Sequence, residues 1–375
     1  MEQDSSMQKH SISFGVGCFN FGLKADDADI SVKDYVSSVK RALEEIHSTN
    51  NVRVEADGDD QRLISRVHGV PTLEDNNIFF PFIDSLEVTF DLYIPRRVQA
   101  ELTKHIFSKP FDTEHFRIFC RNEFDCPVCF VQPLVDGVSE FPSASVVIVR
   151  EYLSSEFRKM HGPVRFEYLG PSPFHADFTL RPATENLADG FTASISPSRA
   201  YDNVEISYDV ARFADVDAAF EDLRGLLSDE LDVFYEIVRT RNCRFHFWLE
   251  LQAIVGGLVN LPSSSIKTRI AAMWGRAARI RQAHQKLAEL EAFRIFSQQK
   301  VTKFVKDLYN SGDPAMLKLK IQAEYEELGE LPVSELSKLL VFLESRRSKS
   351  VEMGVVLFAA LLGGVAGAAL THMLT

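Results

Sequence analysis

The sequence predicts an α+β fold: an N-terminal body with an antiparallel or mixed sheet and helices, then an α-helical region, then a single C-terminal transmembrane helix. Three observations carry that prediction. Strict apolar/polar alternation recurs at 85–94, 164–169, 174–181 and 204–210, the pattern of half-buried strands. Helical spacing separates such segments at 31–47 and 215–239, which is the order of an α+β body. From Ile266 onward the spacing is helical, and an uncharged run closes the chain at 353–370.

In chain order, 11–23 reads as one strand that Gly15 and Gly17 allow to bend. Asp29 or Ser31 is placed to cap a helix whose stripe is Val32, Tyr35, Val36, Val39 and Leu43. A short strand follows at 51–55. It runs into the acidic stretch Glu55 to Asp60, which lacks the ligand spacing and closing glutamate of a calcium loop and reads as a solvated turn. Strands are expected at 85–94, 116–124 and 144–149, and a short helix at 152–160. Strands at 164–169, 174–181, 204–210 and 243–252 then flank a helix over 215–239. Past Pro262, one long helix or two run to Gly312-Asp-Pro314, with too loose a spacing for a strict heptad coiled coil. The implied divisions are 1–140 and 141–262 as α+β subdomains or one body, 263–350 as a helical stalk, and 351–375 as a membrane anchor.

The net charge of −12 disfavours general affinity for nucleic acid. Charge is also unevenly placed. Residues 215–236 hold eight acids and one base, while 263–288 hold six bases and no acid. Pairing between these segments is the economical expectation. Five cysteines in 375 residues form no disulfide framework and suit a reducing compartment, and the N-terminus has no signal-peptide pattern.

The tail suggests a location. Eighteen uncharged residues nearly match a hydrocarbon core of about 30 Å. Arg346, Arg347 and Lys349 flank its N-terminal side, which predicts a cytoplasmic body and a single-pass anchor in a lipid bilayer. Ala359, Gly363 and Gly367, and beside them Ala360, Gly364 and Ala368, form two small-residue ridges suited to self-association as a homo-oligomer.

Chemistry is less legible. No P-loop, dinucleotide, zinc-protease or nucleophile-elbow motif occurs. Cys126-Pro-Val-Cys129, with Cys120 upstream, offers weak zinc ligands that His105 or His115 would complete; the alternative is ordinary loop cysteines, and no other cofactor is predicted. The polar positions of the four strands in 164–252 gather Arg165, Glu167, His175, Asp177, Arg181, Asp209, Arg244, His246 and Glu250 on one face if those strands are neighbours. His175 with Asp177, and His246 with Glu250, are the acid/base candidates there. The expected function is a tail-anchored sensor, adaptor or scaffold whose body binds an unidentified protein or small molecule. The alternatives are an oligomerising membrane-disrupting effector and a membrane-tethered hydrolase using His175 and Asp177.

Overall fold

The computed structural model describes residues 11–24, 30–57, 65–66, 78–79, 81–106, 111–123, 126–168, 174–198, 201–259, 266–310, 312, 314–328 and 331–345. It divides into two compact units. The first comprises residues 1–236 and 304–323, the second residues 237–303 and 324–375.

The first unit is built on an eight-stranded sheet. Its strands, in chain order, are β1 (Ile12–Gly17), β3 (Thr49–Asp57), β7 (Ser85–Tyr93), β8 (His115–Glu123), β9 (Cys126–Pro133), β11 (Ala176–Pro182), β12 (Phe191–Ser198) and β13 (Tyr201–Tyr208). Their spatial order is β12-β13-β11-β1-β9-β8-β7-β3. All neighbours are antiparallel except β11 and β13, so the sheet is mixed. A smaller sheet has β2 (Phe19–Lys24) between β10 (Val164–Tyr168) and β5 (Ile78–Phe79). The dipeptide strands β4 (Ser65–Arg66) and β6 (Pro81–Phe82) pair with each other.

The expected single strand at 11–23 is two strands in two sheets, broken at Cys18. The glycines explain how. Phe14 of β1 packs on Phe178, Phe130 and Phe220 on one side of the sheet. Residues 13, 15 and 17 then face the other side. There a Cβ on Gly15 would stand 2.7 Å from the Pro142 carbonyl oxygen, and one on Gly17 would stand 2.6 Å from Val146. The bare strand lets helix α3 (Pro142–Lys159) lie directly on the backbone.

That helix replaces the strand expected at 144–149. Pro142 occupies the first turn, where a missing N–H costs nothing. Val146, Val149, Leu153 and Phe157 form a buried stripe that continues past the β-branched run. Helix α1 (Val32–Glu44) covers the same sheet face. Its cap is Ser31, whose Oγ accepts from the Asp34 N–H at 3.1 Å, as the sequence indicates. Helix α2 (Arg96–Thr103) packs beside α3. The strands expected near 85–94, 116–124, 164–169, 174–181 and 204–210 are present as β7, β8, β10, β11 and β13. β9 and β12 are additional.

The largest correction concerns 243–252. It is not a strand but part of α4 (Val216–Val259), which is followed by α5 (Ile266–Asn310) and α6 (Lys318–Glu326). No Gly or Pro interrupts 226–255, so nothing ends the helix before the alternating segment begins. Alternation would bury Phe245 and expose Arg244. The helix reverses them: Arg244 is 5% exposed and Phe245 is 55% exposed. In the first unit α4 buries Phe220, Leu223, Leu227, Leu231 and Phe234. In the second, Leu251, Val255 and Leu258 of α4 pack with Ile280, Ala283 and Leu290 of α5 and with Leu340 and Leu343 of a helix over 333–345.

The membrane reading is also corrected. Among the described residues no helix is long and apolar enough to cross a membrane. Residues 346–375, with the flank Arg346, Arg347 and Lys349 and the ridges at Ala359, Gly363, Gly367, Ala360, Gly364 and Ala368, lie outside the described residues. Nine of the eighteen residues in 353–370 are Gly or Ala. The tail anchor, the cytoplasmic single-pass topology and the membrane effector and hydrolase readings fall with it.

Gly15→Val is expected to destabilise the protein by about 1–3 kcal/mol, because both the Pro142 backbone and Val146 resist displacement. Gly225→Ala, in open space on α4, is expected to be neutral or stabilising. Urea unfolding of the two variants beside the parent distinguishes close helix–strand approach from a generic glycine effect.

Candidate functional site

The polar face expected from four strands does not assemble. β10 belongs to the smaller sheet, and Arg244, His246 and Glu250 lie on α4 in the second unit. Only β11 and β13 are neighbours, where Arg181 pairs with Glu205 at 2.9 Å. Arg165 donates to the Gly162 and Val164 carbonyls. Asp209 accepts from the Ala211 N–H at 2.9 Å within a turn.

His175 and Asp177 have separate roles. His175 is exposed, with its ring edge against Tyr201 at 5.5 Å between centroids. Asp177 Oδ1 accepts the Ser143 N–H at 2.8 Å, at the first turn of α3. The cap position of α3 is Phe141, which has no acceptor side chain, so a carboxylate from β11 supplies it. His246 and Glu250 are indeed close, Nε2 to Oε1 at 3.2 Å, but as an i,i+4 pair on an open helix face. Glu250 also meets Lys286 at 3.0 Å, and Lys286 meets Glu289 at 3.0 Å. The four side chains form a solvated ladder.

The cysteines are strand residues rather than loop residues. Cys120 and Cys129 oppose each other across β8 and β9. Both are buried, as is Cys18. Burial raises the Cys129 thiol well above its ordinary range, with the neighbouring Cys120 and Cys18 thiols adding to the effect. The Cys126 side chain lies outside the described residues. Of the two histidines expected to complete a site, His105 is exposed after α2 and His115 stacks on Tyr93 at 5.0 Å. Among the described residues no group of three or more His, Cys, Asp or Glu side chains is arranged to hold a metal ion.

Sequence reasoning missed Glu230. It stands on α4 between Leu227, Leu231 and Phe234 and is 2% exposed. Its oxygens accept the Met316 N–H at 2.7 Å and the Leu317 N–H at 2.5 Å, immediately before α6. Leu317 itself has no capping side chain, so Glu230 closes this helix start from α4. Burial pushes its carboxyl up to about 7 against the lowering pull of the two backbone N–H donors, and Asp229 pushes it further up. Tyr309 also faces it, and its hydroxyl donates to the Lys318 carbonyl. A charged residue inside an apolar helical stripe was the available signal. Asp232 is raised too, chiefly by burial and by Glu123, with Arg121 opposing.

The segment pairing expected between 215–236 and 263–288 gives way to local partners. Asp229 faces Arg121 at 3.8 Å in the first unit. In the second, Lys286 is held by Glu250 and Glu289, and Arg279 donates to the Gly257 carbonyl at 3.2 Å. The result is a charged helical unit. Residues 237–303 carry twelve Lys and Arg against three Glu, a net +9 in a chain of net −12, leaving the remaining residues at −21; with the four bases and seven acids of 324–375 the second unit as a whole is +6. Large apolar side chains also stand exposed there: Phe245, Leu249, Ile295 and Phe296 (71% exposed), with Val341 and Phe342 on the helix over 333–345. The core beneath is ordered by Phe247 against Phe293 at 5.4 Å, by Arg241 on Glu324 at 2.5 Å, and by Arg244, which donates to the Leu328 and Arg294 carbonyls.

The chain matches no family model, no curated protein and no solved structure.

The Glu230 carboxyl titrates higher folded than unfolded, so the folded state holds a proton over a window that the unfolded chain does not. Its stabilising contribution is complete below the unfolded value of 4.5 and is lost as pH rises through about 7, a span of about 3 kcal/mol. Glu230→Gln removes this titration and one of the two acceptors. The unfolding free energy of the parent minus that of the variant is expected to shrink between about pH 5 and pH 8. A difference independent of pH contradicts the assignment.

Proposed function

We propose that this chain is a protein-binding module that receives an acidic partner on the helices of its second unit. The observation that carries the reading is the coincidence of a net charge of +9 with exposed Phe245, Leu249, Ile295 and Phe296 on the same helices. Protein interfaces concentrate aromatic and Arg side chains, and a few of them carry most of the binding energy. Complementary charge adds association rate and selects against other basic proteins. A nucleic-acid partner is disfavoured by the −21 on the remaining residues, which repels a phosphate backbone.

Two full-length variants test this. Phe245→Ser with Phe296→Ser removes apolar anchors that touch solvent, and Arg281→Glu reverses an exposed charge. Acidic proteins that co-purify with the parent are expected to fall at least about tenfold with the first variant and to become less salt-sensitive with the second. Identical co-purification profiles for parent and variants overturn the reading. Submicromolar anisotropy binding of a single-stranded RNA at physiological salt moves it to nucleic acid.

A further inference from the structure

The two edges of the eight-stranded sheet are treated differently. On β3 the register slips between Asn50 and Arg53, Asn51 has φ +54°, and Arg53, Glu55 and Asp57 lie along the strand. A bulge and charges are the usual devices that stop an edge from recruiting another strand. β12, at the other edge, has the sequence Phe-Thr-Ala-Ser-Ile-Ser-Pro-Ser, with no charge over eight residues. Its pairing with β13 runs unbroken from Phe191–Tyr208 to Ser198–Tyr201.

The ladder shows which groups of β12 point outward. Gly190 O accepts the Asp209 N–H in the position just before the strand. Hydrogen-bonded pairs alternate along an antiparallel ladder, so Thr192, Ser194 and Ser196 bond to β13. Tyr208, opposite Phe191, accordingly gives its carbonyl to Ala183 on its other side. Phe191, Ala193, Ile195 and Pro197 therefore direct their backbone groups away from the sheet. The proline is at one of these outward positions, where its missing N–H costs the ladder nothing.

We propose that β12 is a self-association surface that pairs antiparallel with β12 of a second copy of this chain, joining two eight-stranded sheets across a two-fold axis at Ser194. Self-complementarity selects this occupant over an unrelated strand. With Ser194 opposite its own mate, Ala193 faces Ile195 of the second copy and Phe191 faces Pro197. Each Ala193 and Ile195 pair exchanges two hydrogen bonds, and each Phe191 N–H meets a Pro197 carbonyl. This gives six bonds with both prolines accommodated. On the exposed face Thr192 meets Ser196, a favourable hydroxyl pair, and no like charges oppose each other. An isologous contact of this kind closes at the dimer and leaves only the two guarded β3 edges outside.

Single-cysteine substitutions in the full chain test the register. Ser194→Cys places its thiol opposite its symmetry mate at about 4.5 Å between Cα atoms, within disulfide range, whereas Thr192→Cys and Ser196→Cys face different residues. Under a mild oxidant, with the parent chain as control, rapid disulfide-linked dimer is expected for Ser194→Cys alone. Sedimentation is expected to show a reversible dimer with a dissociation constant on the order of 10 µM. Ser194→Lys, which sets two like charges on the axis, and Ala193→Pro, which deletes an outward N–H only, should each weaken it at least about tenfold without lowering the thermal midpoint. A parent that stays monomeric at about 100 µM overturns the proposal. So does a dimer that survives Ser194→Lys, or linking by Thr192→Cys as fast as by Ser194→Cys.

Discussion

Carboxylates from distant parts of the chain close three helix starts, and much of the first unit depends on this. Helices α2, α3 and α6 begin after Pro95, Phe141 and Leu317, none of which has a side chain able to accept a first-turn N–H. Glu114 supplies the acceptor for Arg96 at 2.7 Å, Asp177 for Ser143, and Glu230 for Met316 and Leu317. A local cap is worth about 1 kcal/mol. A cap supplied across the fold also positions the helix, most strongly at α6, where the Met316 and Leu317 N–H groups are buried and leaving one unmet costs about 1–3 kcal/mol. Alpha1, capped by its own Ser31, shows that the local solution was available to this sequence.

The same constraint governs the sheet. A helix capped from β11 must lie close to β11 and to its neighbour β1, whose Gly15 is directly opposite Asp177. Ser13, Gly15 and Gly17 supply the clearance, and the large side chains of β1 are confined to the other face against Phe178, Phe130 and Phe220. Gly15 and the Asp177 contact are therefore two parts of one packing solution. A bulkier strand would displace α3 from its cap, and an uncapped α3 would have less reason to approach the strand.

This explains which parts were legible in the sequence. Alternation located β7, β8, β10, β11 and β13, because one-faced burial writes itself into the residue pattern. It misled at 243–252 because Phe245, Phe247 and Leu249 alternate by chance on a helix whose true stripe is Phe247, Leu251, Val255 and Leu258. The apolar run at 144–149 misled for another reason: its β-branched residues serve a helix that α2, the sheet and β10 bury on several sides. Asp177 reads as an acid/base candidate and is found accepting the Ser143 N–H, because a capping acid and a catalytic acid have the same signature in one dimension. Glu230 went unnoticed for the opposite reason: it lay in a segment already explained as acidic, and only the fold shows that it occupies an apolar position.

Charge is also distributed differently in the two units. In the first, acids are consumed by architecture: Asp91 by Arg117 and Asn51, Glu230 and Asp177 by helix starts, Asp209 by a turn. Groups spent in this way are poor candidates for recognition, since withdrawing them unmakes the fold. In the second, sixteen bases meet ten acids, and the core is closed by aliphatic and aromatic contacts, with Arg241 on Glu324 and Arg244 on two backbone carbonyls beside them. Exposed charge contributes little to stability, about 0–1 kcal/mol per pair, so folding does not require such an excess. A local +9 over 237–303 within a chain of −12, with Phe245 and Phe296 exposed beside it, is not required by stability, and it is the feature on which the proposed binding of an acidic partner rests.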